Sequence, residues 1–124
     1  MVERPSVAPL VAAAFERRLQ EGPDDFAGPR FGQHARGNAI DLGMATELAD
    51  LTTRLGEDRR IRAVLLTGAG PRFCVGGDLK SFARLDPEEL PAHIKAVAGH
   101  LHVAVTRLAT APFPVVAAVQ GAAA

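Results

Sequence analysis

The chain is read as an α/β protein on three observations. An amphipathic helix spans 41–56, a short apolar run follows it at 61–67, and a second apolar run at 115–119 follows another amphipathic helix. Helix, turn and strand in repeated order is the pattern of a parallel sheet with helical crossovers.

Each element has a local cause. Asp41 is placed to cap a helix whose apolar positions Met44, Ala45, Leu48, Leu51, Thr52 and Leu55 follow the three-and-four spacing of one buried face, and Gly56 is expected to end it. The run Ile-Arg-Ala-Val-Leu-Leu-Thr at 61–67 becomes aliphatic on both faces after Ala63, as a strand covered on both sides requires. Residues 68–78 (GAGPRFCVGGD) hold four glycines and a proline and form a loop. A second helix is expected to begin near Asp86, with Pro87 in its first turn and Glu88 and Glu89 near its positive end. Its apolar stripe is Ile94, Val97, Ala98, Leu101, Val105 and Leu108. Pro112 and Pro114 stop it, and 115–119 (VVAAV) is a buried-type strand. Upstream, 9–20 reads as a helix followed by an irregular Gly- and Pro-rich stretch, so the chain divides into an atypical segment 1–37 and a core 38–124.

Composition excludes several function classes. With 124 residues the chain is one modest domain, and 14 basic side chains against 14 acidic ones leave no electrostatic footprint for nucleic acid. One cysteine forms no internal disulfide, and no Cys/His spacing suits zinc, so no metal is expected and a reducing, cytoplasmic setting is. The apolar run at 7–15 is far too short to span a bilayer, and Glu16, Arg17 and Arg18 follow it directly, unlike a signal peptide.

Ligands of open α/β sheets settle at the carboxyl ends of strands. Two such ends are visible, the Gly-rich loop after Thr67 and the Gln120-Gly121 turn after Val119. Small residues at both permit close backbone approach, and converging N–H groups there would bind a carbonyl oxygen that gains negative charge during reaction.

Four blocks then resemble the crotonase superfamily, that is enoyl-CoA hydratase/isomerase. They are Asn38-Ala39-Ile40, the run from Ile61 through Gly68-Ala69-Gly70, Arg72-Phe-Cys-Val-Gly-Gly-Asp-Leu-Lys, and Phe113-Pro-Val-Val-Ala-Ala-Val-Gln-Gly-Ala-Ala. They stand in family order over 38–124, and the Arg72 block is the most specific. The resemblance implies a ClpP/crotonase-like ββα superhelix, here incomplete, that binds an acyl-CoA thioester. Coenzyme A enters only as part of the substrate, with no separate cofactor. Two backbone N–H groups would form an oxyanion hole, the first donor being the N–H of Val75, where relatives mostly carry alanine. Arg36, Ala39, Val75, Gly77, Asp78 and Leu79 stand where relatives line the CoA and acyl pocket. Relatives commonly form trimers or pairs of trimers.

Two departures shape the expectation. The second donor and the hydratase carboxylates lie in relatives beyond the position of Ala124, and Phe31-Gly-Gln-His-Ala-Arg-Gly replaces a hairpin ending in Arg-Pro. The chain is therefore expected to be truncated, with a possible reading-frame change before Gly37. The expected function is that of a family member inactive alone, and the alternative is a non-catalytic fragment or pseudoenzyme that binds CoA or a full-length partner.

Other features have blander readings. Cys74 reads as a small buried residue rather than a nucleophile, and Asp78 as a helix cap rather than a proton carrier. His93, His100 and His102 lack the spacing of a metal site. Arg72, Lys80 and Arg84 fit either CoA phosphates or a solvated basic face. In Gly68-Ala-Gly70, Phe73 occupies the third small position of a dinucleotide fingerprint and Pro71 interrupts the helix start, which argues against such a site.

Overall fold

A computed structural model describes residues 37–124; the expected helix at 9–20, the stretch after it and Arg36 lie outside the described residues. In chain order the elements are α1 (Leu42–Glu57), β1 (Val64–Thr67), α2 (Leu79–Phe82), α3 (Leu90–Ala109) and β2 (Val115–Ala118). β1 and β2 pair in parallel, with Val64 opposite Val115 and Thr67 opposite Ala118. The α/β reading holds.

α1 forms where the periodicity places it. The Asp41 carboxylate accepts the Met44 N–H at 2.8 Å, satisfying a donor that the first helical turn leaves open. Met44, Ala45, Leu48, Ala49, Leu51, Thr52 and Leu55 are buried. Thr52 satisfies its buried hydroxyl within the helix, donating to the Leu48 and Ala49 carbonyls at 2.9 and 3.0 Å. The helix runs one residue past Gly56, and the Asp58 N–H closes it on the Arg54 carbonyl at 3.1 Å. Arg60 then grips the Asp58 carboxylate through Nε and Nη2 at 3.0 and 2.8 Å, and these hydrogen bonds hold the carboxyl at about 2, below its ordinary range.

Three expectations need correction. The first strand is four residues rather than seven. The Val64 N–H bonds to the Pro114 carbonyl at 2.9 Å, and Pro114, with no N–H to give, ends the ladder there. The third helix begins at Leu90 rather than near Asp86. Asp86 instead builds a turn, its carboxylate accepting from the Glu88 N–H at 3.0 Å and its carbonyl from the Glu89 and Leu90 N–H groups. Pro91, not Pro87, is the proline of the first helical turn.

The third correction concerns burial. In α3 only Val97 and Ala104 are buried, with Leu101 and Leu108 half-buried, whereas Ile94 and Val105 of the expected stripe are exposed by 44% and 60%. A helix packed mainly against one partner, α1, hides a narrower stripe than one set into a layered core. β2 likewise leaves a face open, with Val116 exposed by 58%, so it is not the doubly covered strand expected.

The core lies around α1. Met44 and Leu48 pack with Cys74 and Ala104; Leu51 and Leu55 with Val64; Ala45 with Phe82 and Val97. Beyond the ends of β1 and β2 the chain pairs again in two parallel bridges, Ile40 with Gly77 and Cys74 with Ala123. The segment 74–77 thus lies between 37–40 and 122–124, and this second small layer carries the candidate site.

Candidate functional site

The bend at 73–78 is shaped almost wholly by distant residues. On one side the Phe73 and Cys74 N–H groups donate to the Gln120 and Ala122 carbonyls at 2.8 and 2.9 Å, and the Ala124 N–H returns to the Cys74 carbonyl at 2.9 Å. On the other, the Val75 N–H donates to the Gly37 carbonyl at 3.1 Å, the Ile40 N–H to the Gly76 carbonyl at 2.8 Å, and the Asp78 N–H to the Ile40 carbonyl at 2.8 Å. The two loops that follow the two strands therefore converge, as ligand sites of this fold class require.

Val75 is not the open donor expected, because its amide is spent on Gly37. The open amide is that of Gly77. In a parallel bridge one residue directs both its polar groups at the partner strand while its opposite number directs its own away. Ile40 bonds to residues 76 and 78, so Gly77 faces away from 37–40. Gly77 is exposed, and its N–H meets no acceptor among the described residues. Gly76, at φ 93°, breaks the strand alternation between residues 75 and 77. After it the chain turns sharply: the Leu79 N–H donates to the Gly77 carbonyl at 2.9 Å across Asp78 at φ −76° and ψ 81°, an inverse γ-turn.

The remaining expected residues fall around this bend in different roles. Asp78 is buried and its carboxylate accepts the Ser81 N–H at 3.2 Å, so it caps α2 as read. Leu79 is exposed by 76%, and Ala39 is buried. Arg72, Lys80 and Arg84 are exposed. Cys74 is buried, its Sγ 3.4 Å from both the Asn38 carbonyl and the Gly76 N–H, which is the structural role expected. His93 stands edge-on to Phe82, with ring centroids 5.7 Å apart.

Two carboxamides escaped the sequence reasoning. Asn38 is fully buried at φ 57°, and its Nδ2 donates to the Ala69, Arg72 and Phe73 carbonyls at 3.0, 2.9 and 3.1 Å. Gln120 reaches back from the end of β2 and gives its Nε2 to the Gly68 and Gly70 carbonyls at 2.7 and 3.0 Å. A signal for both was present: a loop of small residues offers more carbonyls than its own amides can satisfy, and a carboxamide supplies two donors at one atom.

The sequence model for enoyl-CoA hydratase/isomerase matches residues 30–124. The chain belongs to the enoyl-CoA hydratase/isomerase family. Among curated relatives, it is 30% identical over 101 residues to 4-chlorobenzoyl coenzyme A dehalogenase-2 of Arthrobacter, a match covering 82% of this chain and 37% of the dehalogenase. It is 39% identical over 88 residues to the 1,2-epoxyphenylacetyl-CoA isomerase of Escherichia coli, covering 70% of this chain and 33% of the isomerase. Among solved structures, the enoyl-CoA hydratase of Bacillus anthracis superposes with a TM-score of 0.63 at 29% identity, covering 73% of this chain and 34% of the hydratase. An enoyl-CoA hydratase/isomerase of Mycobacterium abscessus gives 0.62 at 34% identity, covering 72% and 34%. The chain thus spans about a third of the length of these enoyl-CoA hydratase/isomerase relatives and holds part of their crotonase fold.

Proposed function

We propose that this chain binds an acyl-CoA thioester, with the Gly77 N–H as the donor to the thioester carbonyl oxygen. The observation that carries the reading is an exposed main-chain amide without an acceptor among the described residues, on a bend tied from both sides. A donor fixed before the ligand arrives needs no reorganisation when charge develops on the oxygen, and one such donor contributes about 3 kcal/mol to lowering the barrier. Arg72, Lys80 and Arg84 supply positive charge around the bend for the CoA phosphates. The relatives, which include a 4-chlorobenzoyl coenzyme A dehalogenase and a 1,2-epoxyphenylacetyl-CoA isomerase, support the substrate class.

A binding role without turnover in these residues is the second reading, and one observation favours it. Asp78, the carboxylate of the bend, is buried and committed to capping α2, so it is poorly placed to carry a substrate proton. The test uses acetyl-CoA labelled with carbon-13 at its carbonyl. Binding should move that resonance downfield, as hydrogen bonding polarises the carbonyl, while crotonyl-CoA is bound and left unhydrated by the chain. An unmoved carbonyl resonance in the bound state overturns the oxyanion reading; measurable hydration overturns the reading without turnover.

A further inference from the structure

The carbonyls of residues 68, 69, 70, 72 and 73 are all answered by two carboxamides, Gln120 from one side and Asn38 from the other. Of the two, Asn38 is the more constrained. It is 0% exposed and shares the two hydrogens of one nitrogen among three carbonyls. Its Oδ1 is buried and meets no donor among the described residues, where the side chain therefore serves only as a donor. Its own carbonyl accepts from the Cys74 thiol, and its neighbour Gly37 takes the Val75 amide.

We propose that Asn38 is the positioning residue that aims the Gly77 amide, which rests on the reading of Gly77 given above. By holding the Arg72 and Phe73 carbonyls it fixes where the segment 74–77 begins, and through Gly37 and Ile40 the same short segment fixes where it turns. The residue must tolerate φ 57° and also present two hydrogens to carbonyls. Asparagine meets both demands, whereas aspartate, of the same shape, would set a carboxylate against three carbonyl oxygens.

The experiment follows backbone amides of the nitrogen-15 labelled chain by NMR during titration with CoA and then acetyl-CoA. In the unaltered chain the Gly77 amide should respond to acetyl-CoA beyond its response to CoA. If it does not, the reading of Gly77 fails and the proposal with it. Asn38→Asp keeps shape and removes the donor; Asn38→Gly keeps the backbone freedom and removes the side chain. Both should retain the α1 resonances and CoA binding, lose the acetyl-specific response of Gly77, and weaken acetyl-CoA relative to CoA about five- to tenfold, the equivalent of one hydrogen bond. A variant that keeps the Gly77 response overturns the positioning role while leaving the reading of Gly77 intact. Loss of the α1 resonances in both variants assigns Asn38 to the fold as a whole and also overturns it.

Discussion

The Val75 amide donates to the Gly37 carbonyl at 3.1 Å, whereas the break in alternation at Gly76 turns the Gly77 amide, two residues later, away from 37–40 and leaves it without an acceptor among the described residues. The two amides should differ in hydrogen exchange. A hydrogen bond contributing about 1 kcal/mol slows exchange by roughly fivefold, so Val75 should exchange at least that much more slowly than Gly77. Equal rates for the two would show that the Gly37 contact does not persist in solution.

Glycines at two places should respond to alanine with opposite sign. Gly121 sits at φ 59°, and a Cβ there would strike the Pro71 carbonyl oxygen, so Gly121→Ala should cost about 2–4 kcal/mol from backbone strain and overlap. Gly99, inside α3, has open space around its Cβ position, and Gly99→Ala should stabilise by about 0.5–1 kcal/mol. Denaturant unfolding of the two variants measures both.

Ala104 is fully buried where α3 meets Met44 and Leu48 of α1. Ala104→Leu should lower stability by about 1–3 kcal/mol through overpacking. One position on, Val105 is exposed by 60%, and Val105→Leu should change stability by less than about 0.5 kcal/mol. Similar unfolding midpoints for the two would contradict the narrow stripe assigned to α3.

Val116 of β2 is exposed by 58% beside β1, and a strand with an apolar open face invites association. Sedimentation should show concentration-dependent self-association, and Val116→Lys should reduce it. An unchanged sedimentation profile would place the association elsewhere.

The Asp58 carboxyl is lowered to about 2 by its hydrogen bonds from the Arg60 side chain and backbone. A carboxyl with a depressed folded value contributes stability above its unfolded value, about 3.9, and loses that contribution as pH falls through the folded one. The difference between the wild type and Asp58→Asn should therefore be present at neutral pH and vanish as pH falls from about 4 to about 2. It should shrink with salt, because the pair is at the surface.

What was legible in the sequence was whatever depends on neighbours within one turn or one strand. Asp41 announces α1 because the N–H that its carboxylate accepts lies three residues away, and the apolar spacing of Met44, Leu48, Leu51 and Leu55 names the buried face. The outline of the loop at 68–78 was legible from its glycines, and the blocks around it gave the family. The identity of the open amide was not. Whether Val75 or Gly77 is free depends on which carbonyl of 37–40 each one meets, a matter of register that no local pattern records. The start of α3 was misplaced because Asp86 and Pro87 suit a turn as well as a helix cap. Its buried width was overestimated because an apolar stripe says which residues can be hidden, while the neighbours present decide which ones are.

Gln120 meets its two acceptors across 52 and 50 residues, and Asn38 meets Ala69 across 31. Closing such long spans is slow, since the loss of chain freedom comes before any contact rewards it. In a refolding experiment α1 should therefore form early, and the bend should take its final shape only when the whole of 37–124 has come together. Until then the chain has helices but not the tied bend that turns the Gly77 amide outward.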